Sequence, residues 1–378
     1  MKQIRGVALV LLAATTCAAA AADSGSVTLT RVTTGEIGGW MRLTVSVAGL
    51  PGQWVLDTGS NRNLVSPAFA QRLGLAAGPR VATTAGAGRV VGNEVVLPML
   101  QLGGLERAAQ RAMAAELGPI VGAAAQGADG VLGTPFLEDL EVDIDLRSWQ
   151  ISMRASSGAA CPADSAEVAL TRQLGLAVIK VSVNGGAEEA VLLDTGNPAG
   201  LVRPVSRAPA PSEPGIVVDS SRLLIARQVA IGPLLRRDVP VVFYTAPALR
   251  QALGSEITGL AGTALFDGTW LRLDLSRQRA CLQAASLAVP GGFGLMLAWR
   301  GDTLRVDRIL PGGPAEAAGL KPGDTITAWA GGAPGGDLPQ LWARAQGRDE
   351  IEVQAGGRDF RLRRALFAPL LPPGGTAR

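Results

Sequence analysis

Residues 54–65 read WVLDTGSNRNLV and residues 191–202 read VLLDTGNPAGLV. Each is an apolar strand running into Asp-Thr-Gly, with Leu-Val following at the same spacing. Asp57 and Asp194 stand 137 residues apart. A second pair of segments repeats as well. VLGTPFLEDLEVDIDL at 131–146 and LAGTALFDGTWLRLDL at 260–275 align without a gap, 129 residues apart. The strands ahead of each Asp also correspond, TVSVAG at 44–49 with KVSVNG at 180–185. A unit of about 125 residues is thus present twice, too long a period for a solenoid. Any fold open to this chain must house two equivalent units, each holding an Asp at the end of a buried strand.

An Asp in that place is costly unless it is paired or hydrogen-bonded. Gly directly after the Thr permits a tight turn and a close backbone approach to the carboxylate. The Thr hydroxyl is placed to bond across to the other copy. Two such units facing each other about a pseudo-twofold axis bring their carboxylates together. Neighbouring carboxylates do not both ionise readily, so the pair shares a proton. One then acts as base on a water while the other, protonated, polarises a carbonyl, which is hydrolysis without a covalent intermediate. A single Asp-Thr-Gly is an ordinary turn; two at matching places of a repeat are not. The chain has no His, which excludes Ser-His-Asp and Cys-His machinery and any His-ligated metal. No cofactor and no metal site are implied.

Hydrophobic residues make up 47% of the chain but aromatics only 4%, so the cores must be aliphatic. The net charge is +3 and no basic block occurs, which argues against nucleic acid as a partner. The start has a basic segment with Lys2 and Arg5, an apolar run from Gly6 to Ala14, and an Ala-rich stretch ending at Ala22. Residues 1–22 therefore have the form of a signal peptide. The expected location is exported, periplasmic or secreted; a lipoprotein attached through Cys17 is disfavoured by Thr16. No later apolar run is long enough to span a membrane. In an oxidising compartment Cys161 and Cys281 are the candidate pair for a disulfide.

Asp57-Thr58-Gly59 with Val131-Leu132-Gly133, and Asp194-Thr195-Gly196 with Leu260-Ala261-Gly262, resemble the two lobes of an aspartic protease. The lobe size is closer to the retropepsin type than to the pepsin type. The resemblance runs from about Val27 to Leu282. It implies an all-β-dominated molecule of two similar lobes related by pseudo-twofold symmetry: 23–155 as lobe 1, 156–167 as linker, and 168–285 as lobe 2. It implies Asp57 and Asp194 as the catalytic dyad, supported by Thr58, Gly59, Ser60, Thr195, Gly196 and Asn197. It implies a flap near Thr83–Val91, with Thr84, Gly86, Ala87 and Gly88 at its tip, and protein or peptide substrates. With both halves of the dyad in one chain, a monomer is expected. Asn197 is unusual at its place, where it is expected either to bond a carboxylate or to perturb the dyad. The flap lacks a Tyr; Tyr244, the only one, falls in the other lobe. The second copy has no Gly-rich flap tip.

Residues 286–366 change character. GGFGLML leads to DTLRVDRILPGGPAEAAGLKPGDTITAWAGG, a helical stretch DLPQLWARAQ, and a strand pair around EIEVQAGGRDFRLRRAL. This resembles a PDZ domain, a small β fold with two helices. The resemblance implies Gly292, Phe293, Gly294 and Leu295 as a carboxylate-binding loop, with a peptide C-terminus as ligand adding a strand beside LMLAWR. Trp329 and Trp342 read as core or groove wall. The tail 367–378 is expected to be disordered. An exported aspartic endopeptidase with a peptide-binding module is the leading expectation. Its rival is a catalytically silent peptide-binding adaptor of the cell envelope.

Overall fold

The computed structural model describes residues 24–283 and 291–372, apart from 34, 36, 37, 86, 87, 209, 211, 219 and 220. The leader 1–22 and Cys17 lie outside the described residues, as do Gly86 and Ala87. Strands dominate and helices are short, so the all-β class holds. Among the described residues no helix is long and apolar enough to cross a membrane.

The pseudo-twofold axis can be located from the strand register. Strands Leu140–Asp145 and Trp270–Asp274 run antiparallel, with Asp143 opposite Arg272, Glu141 opposite Asp274, and Asp145 opposite Trp270. Asp143 and Arg272 are the same position of the repeat, 129 residues apart. The axis therefore passes between them. Arg272 Nε donates to Asp143 Oδ1 at 2.6 Å, and Arg154 binds both Glu141 and Asp143. Four charges are thereby neutralised where the lobes join. Three strands from each side flank the axis within a 13-stranded sheet: Ser24–Thr28, Gln150–Ala155 and Leu140–Asp145, then Trp270–Asp274, Arg279–Gln283 and Ala166–Gln173. Its inward residues, among them Val142, Ile144, Ile151, Leu271 and Leu273, join the main aliphatic core.

Each lobe continues into strands that carry one Asp-Thr-Gly. Trp40–Val47 pairs with Leu50–Leu56, which enters Asp57. Leu176–Val183 pairs with Glu188–Leu193, which enters Asp194. In lobe 1 the helix Pro67–Arg72 follows, capped by the Ser66 hydroxyl accepting from Phe69 N–H, with Pro at its start. The hairpin Arg80–Ala85 and Gly88–Leu97 then reaches toward the other lobe, near the helix Pro247–Leu253.

Cys161 and Cys281 are bonded, closing a separation of 120 residues. Cys281 lies in Arg279–Gln283, and Glu167 beside it opens lobe 2. The bond thus ties the linker to the last hairpin of lobe 2. Replacing both cysteines by Ala is expected to lower unfolding free energy by about 2–5 kcal/mol, through the restored freedom of the unfolded chain. A urea titration should show a lower midpoint at similar slope; an unchanged midpoint would refute this.

The C-terminal domain has its own core, with Phe293, Leu297, Val306, Trp329, Leu341, Trp342 and Leu362 buried together. Trp329 and Trp342 meet edge to face at 5.0 Å, and Trp329 Nε1 donates to Leu341 O. Both are core residues. The helix Leu338–Ala345, capped by Asp337, lies beside the strand Leu295–Arg300 and close to Thr30–Val32 of lobe 1.

Residues 367–372, expected to be disordered, are docked on lobe 2. Ile225 N–H donates to Pro369 O, and Leu371 N–H donates to Ile225 O. Asn184 Nδ2 donates to Leu371 O, and Leu371 is buried in the main core. Ala368 packs with Ile216 and Ile225. A chain terminus is expected to be loose unless tied down; here Pro369 is engaged through its carbonyl, which Pro retains.

Candidate active site

Both Asp-Thr-Gly loops arrive at one point between the lobes. Asp57 N–H donates to Leu132 O, and Asp194 N–H donates to Ala261 O, each at 2.9 Å. The second repeated segment therefore holds the first, once in each lobe. Gly133 and Gly262 explain why this segment needs glycine. A Cβ on Gly133 would lie 2.3 Å from Arg62 O, and one on Gly262 would lie 2.4 Å from Ala199 O. The loop backbones pack against these glycines with no room for a side chain.

The two threonines exchange bonds across the axis. Thr58 Oγ1 donates to Leu193 O at 2.7 Å and accepts from Thr195 N–H at 3.0 Å. Thr195 Oγ1 donates to Leu56 O at 3.0 Å and accepts from Thr58 N–H at 3.0 Å. All four bonds are buried and all cross between lobes.

The carboxylates follow the same exchange. Each accepts from its own loop: Gly59 N–H to Asp57 Oδ1 at 2.8 Å and Gly196 N–H to Asp194 Oδ1 at 3.0 Å. Each also sits against the opposite glycine. A Cβ on Gly59 would fall 2.3 Å from Asp194 Oδ1, and a Cβ on Gly196 would fall 2.4 Å from Asp57 Oδ1. The two side chains lie within hydrogen-bonding reach of each other, and both are buried. Burial raises the Asp57 carboxyl above its ordinary range, opposed by Asp194 and by the backbone N–H groups of Gly59, Gly196 and Ser60. Burial also raises Asp194, and the nearby Asp57 charge raises it further, leaving it well above the ordinary range with only Gly196 N–H in opposition. Both carboxyls are raised, so the pair holds one shared proton over the window between its two titrations.

Other residues singled out from sequence take different places. Ser60 contributes its backbone N–H; its hydroxyl turns away, donating to Arg62 O at 2.8 Å. Asn197 does not direct its Oδ1 at a carboxylate but accepts from Ala199 N–H at 3.0 Å, a local Asx turn. Thr84 lines the cleft. In the C-terminal domain Phe293 is core, and Gly292 pairs with Ala365 through both its N–H and its carbonyl. Gly292 N–H is therefore engaged within the domain, while Gly294 adopts the left-handed backbone conformation that glycine favours.

One contact escaped sequence reasoning. Trp40 Nε1 donates to Gly196 O at 2.8 Å, so lobe 1 tethers the loop carrying Asp194. The matching position of lobe 2 is Leu176, which has no donor. The sole sequence signal was a Trp facing a Leu across an otherwise similar strand pair.

The dyad sits in a cavity of about 760 Å³. Lobe 1 contributes Trp40, Arg62, Thr83, Thr84, Arg89 and Ile120; lobe 2 contributes mainly aliphatic side chains and Tyr244. The cavity reaches from the hairpin of lobe 1 to the helix Pro247–Leu253 of lobe 2.

Paired lobes, exchanged threonines and facing carboxylates resemble the arrangement of an aspartic protease. The family model described as aspartyl protease matches residues 43–136, within lobe 1. The PDZ domain model matches residues 285–331. A comparison with curated proteins finds no match. Among solved structures, the aspartic proteinase from Irpex lacteus is similar at 14% identity and a TM-score of 0.44, over 70% of this chain and 98% of that chain.

Proposed function

We propose that the chain is an exported aspartic endopeptidase whose PDZ domain binds a peptide C-terminus. The observation carrying this reading is the meeting of Asp57 and Asp194, both buried, at the floor of a cavity of about 760 Å³. With the shared proton on Asp194, Asp57 takes a proton from water as the water attacks the peptide carbonyl. Asp194, holding the shared proton, donates to the carbonyl oxygen and stabilises the tetrahedral intermediate. The proton on Asp57 then passes to the leaving amine as the C–N bond breaks, while a hydroxyl of the intermediate returns its proton to Asp194 and restores the singly protonated pair. The hairpin of lobe 1 would cover the bound peptide and keep water out. The reading of export rests on residues 1–22. The PDZ reading is supported by the strand Leu295–Arg300, whose second edge has no strand partner among the described residues and faces the helix Leu338–Ala345.

The test is digestion of a diverse, unstructured peptide mixture by the chain lacking residues 1–22, from pH 3 to 8. Cleavage is expected with a bell-shaped profile whose two apparent pKa values belong to the pair. No limb can come from His, since the chain has none. A folded protein that retains peptides yet cuts none at any pH would instead be the adaptor.

A further inference from the structure

The cleft is chemically lopsided. Lobe 2 lines it with Leu176, Leu192, Val202, Leu249, Leu253 and Leu260. Lobe 1 brings two guanidinium groups, Arg62 from the loop after Asp57 and Arg89 from the hairpin above. Apart from the dyad, no acidic side chain lines the cavity among the described residues. The Arg62 backbone is fixed: Ser60 Oγ donates to its carbonyl, and that carbonyl packs against Gly133. Its side chain is half-buried and has no hydrogen-bond or ion-pair partner among the described residues; Arg89 is exposed at the mouth of the cavity and has none either.

Other buried and half-buried arginines are answered, some by backbone carbonyls, as Arg42 and Arg236 are, and others by carboxylates. Arg107 holds Asp139, Arg203 holds Glu189, Arg222 holds Glu213 and Arg272 holds Asp143. Partial burial of a guanidinium is costly without a counter-charge. The repeat position matching Arg62 is Ala199, which also lines the cavity. The charge therefore appears on one side of the pseudo-twofold only, where it distinguishes the two halves of a bound peptide.

We propose that the cleft selects peptides carrying an acidic side chain close to an aliphatic one, with Arg62 and Arg89 holding the carboxylate and the leucine wall of lobe 2 holding the aliphatic group. This rests on the reading of the cleft as a peptidase site. Guanidinium suits the role because its fork matches a carboxylate in two parallel hydrogen bonds. The selection fades below about pH 4, where the substrate carboxylate takes up a proton.

The experiment uses unstructured peptides with a central Leu-Leu pair and one Glu placed in turn at each of three positions on either side, each matched by its Gln twin. Cleavage by wild type is compared with Arg62→Gln, Arg89→Gln and the double variant at pH 5.5. Binding of the same peptides to Asp57→Asn is measured by calorimetry. The Glu peptide should be preferred at one position by about tenfold or more. The ratio of Glu-peptide to Gln-peptide cleavage should collapse toward one in the double variant, whatever its absolute rate. Equal handling of Glu and Gln at all positions, or a preference surviving in the double variant, overturns the proposal and leaves the peptidase reading intact. Selective binding of a Glu peptide with no cleavage by wild type retains the acid-selective cleft and overturns the peptidase. Neither binding nor cleavage overturns both.

Discussion

Asp57→Asn and Asp194→Asn should each reduce peptide cleavage by about 10²–10⁴-fold, and each should make the protein more stable at neutral pH. The two effects share one cause. Asp57 and Asp194 are buried side by side, so ionising them in the folded chain is harder than in the unfolded one. Between the ordinary carboxyl pKa of 3.8 and their raised folded values, the folded state binds more protons. Stability therefore falls as pH rises through that window and levels off above it. An amide keeps the hydrogen-bonding shape and removes the charge. Near pH 4 the variants and the wild type should melt alike. Toward pH 7 the variants should melt above wild type, by a margin that widens with pH through the window. Melting curves from pH 4 to 8 test this directly. If the variants lose cleavage but also melt below wild type at pH 7, the dyad is not a source of strain and its pKa values are not raised.

Much of this site was legible in the sequence because a repeat carries geometric information. Two copies of one turn, facing across a twofold, must meet, and the threonine exchange and the paired Asp residues follow from that symmetry. The glycines at 133 and 262 fit the same logic once their close approach is seen. What escaped was whatever breaks the symmetry. Trp40 reaches Gly196 across 156 residues of chain, and no local pattern announces such a contact. Arg62 occupies a place where its repeat partner is Ala199, a difference that reads as drift until both are seen to line one cavity. Asn197 found a local backbone donor in Ala199, and a side chain able to close an Asx turn within two residues does so in preference to reaching for a carboxylate.

The tail shows another kind of asymmetry. In lobe 2 the hairpin of Ile216–Val218 and Ser221–Ile231 packs Ile216 and Ile225 against Ala368, and Leu371 enters the main core beyond. None of these hairpin residues lines the cleft. The equivalent hairpin of lobe 1 does line it. One duplicated hairpin thus lines the cleft while the described residues of its twin pack against the chain's own C-terminal segment.

Thr58→Val should be among the most damaging single changes to folding outside the large core residues. The substitution keeps shape and volume, so no cavity opens, yet it removes two inter-lobe bonds at once. Leu193 O loses its donor and Thr195 N–H loses its acceptor. Both groups lie where Thr58 is 0% and Thr195 3% exposed, so no water replaces the hydroxyl. Leaving a buried donor or acceptor unpaired costs about 1–3 kcal/mol, and two together lead to an expected loss of about 2–4 kcal/mol. Thr195→Val should match it, because Leu56 O and Thr58 N–H lose the equivalent partners. The double variant should depart from additivity, since both pairs of bonds hold the same two loops. Thr58→Ser keeps the hydroxyl and should stay within about 1 kcal/mol of wild type, the cost of a lost methyl group. Cleavage should follow the same order, because the bonds that join the lobes also set the spacing of Asp57 and Asp194. Urea titration with a cleavage assay on each variant decides it. A Val variant as stable as the Ser variant would mean that the lobes are held by the shared sheet and its charges at Asp143 and Arg272, with the threonines only marking where the axis passes.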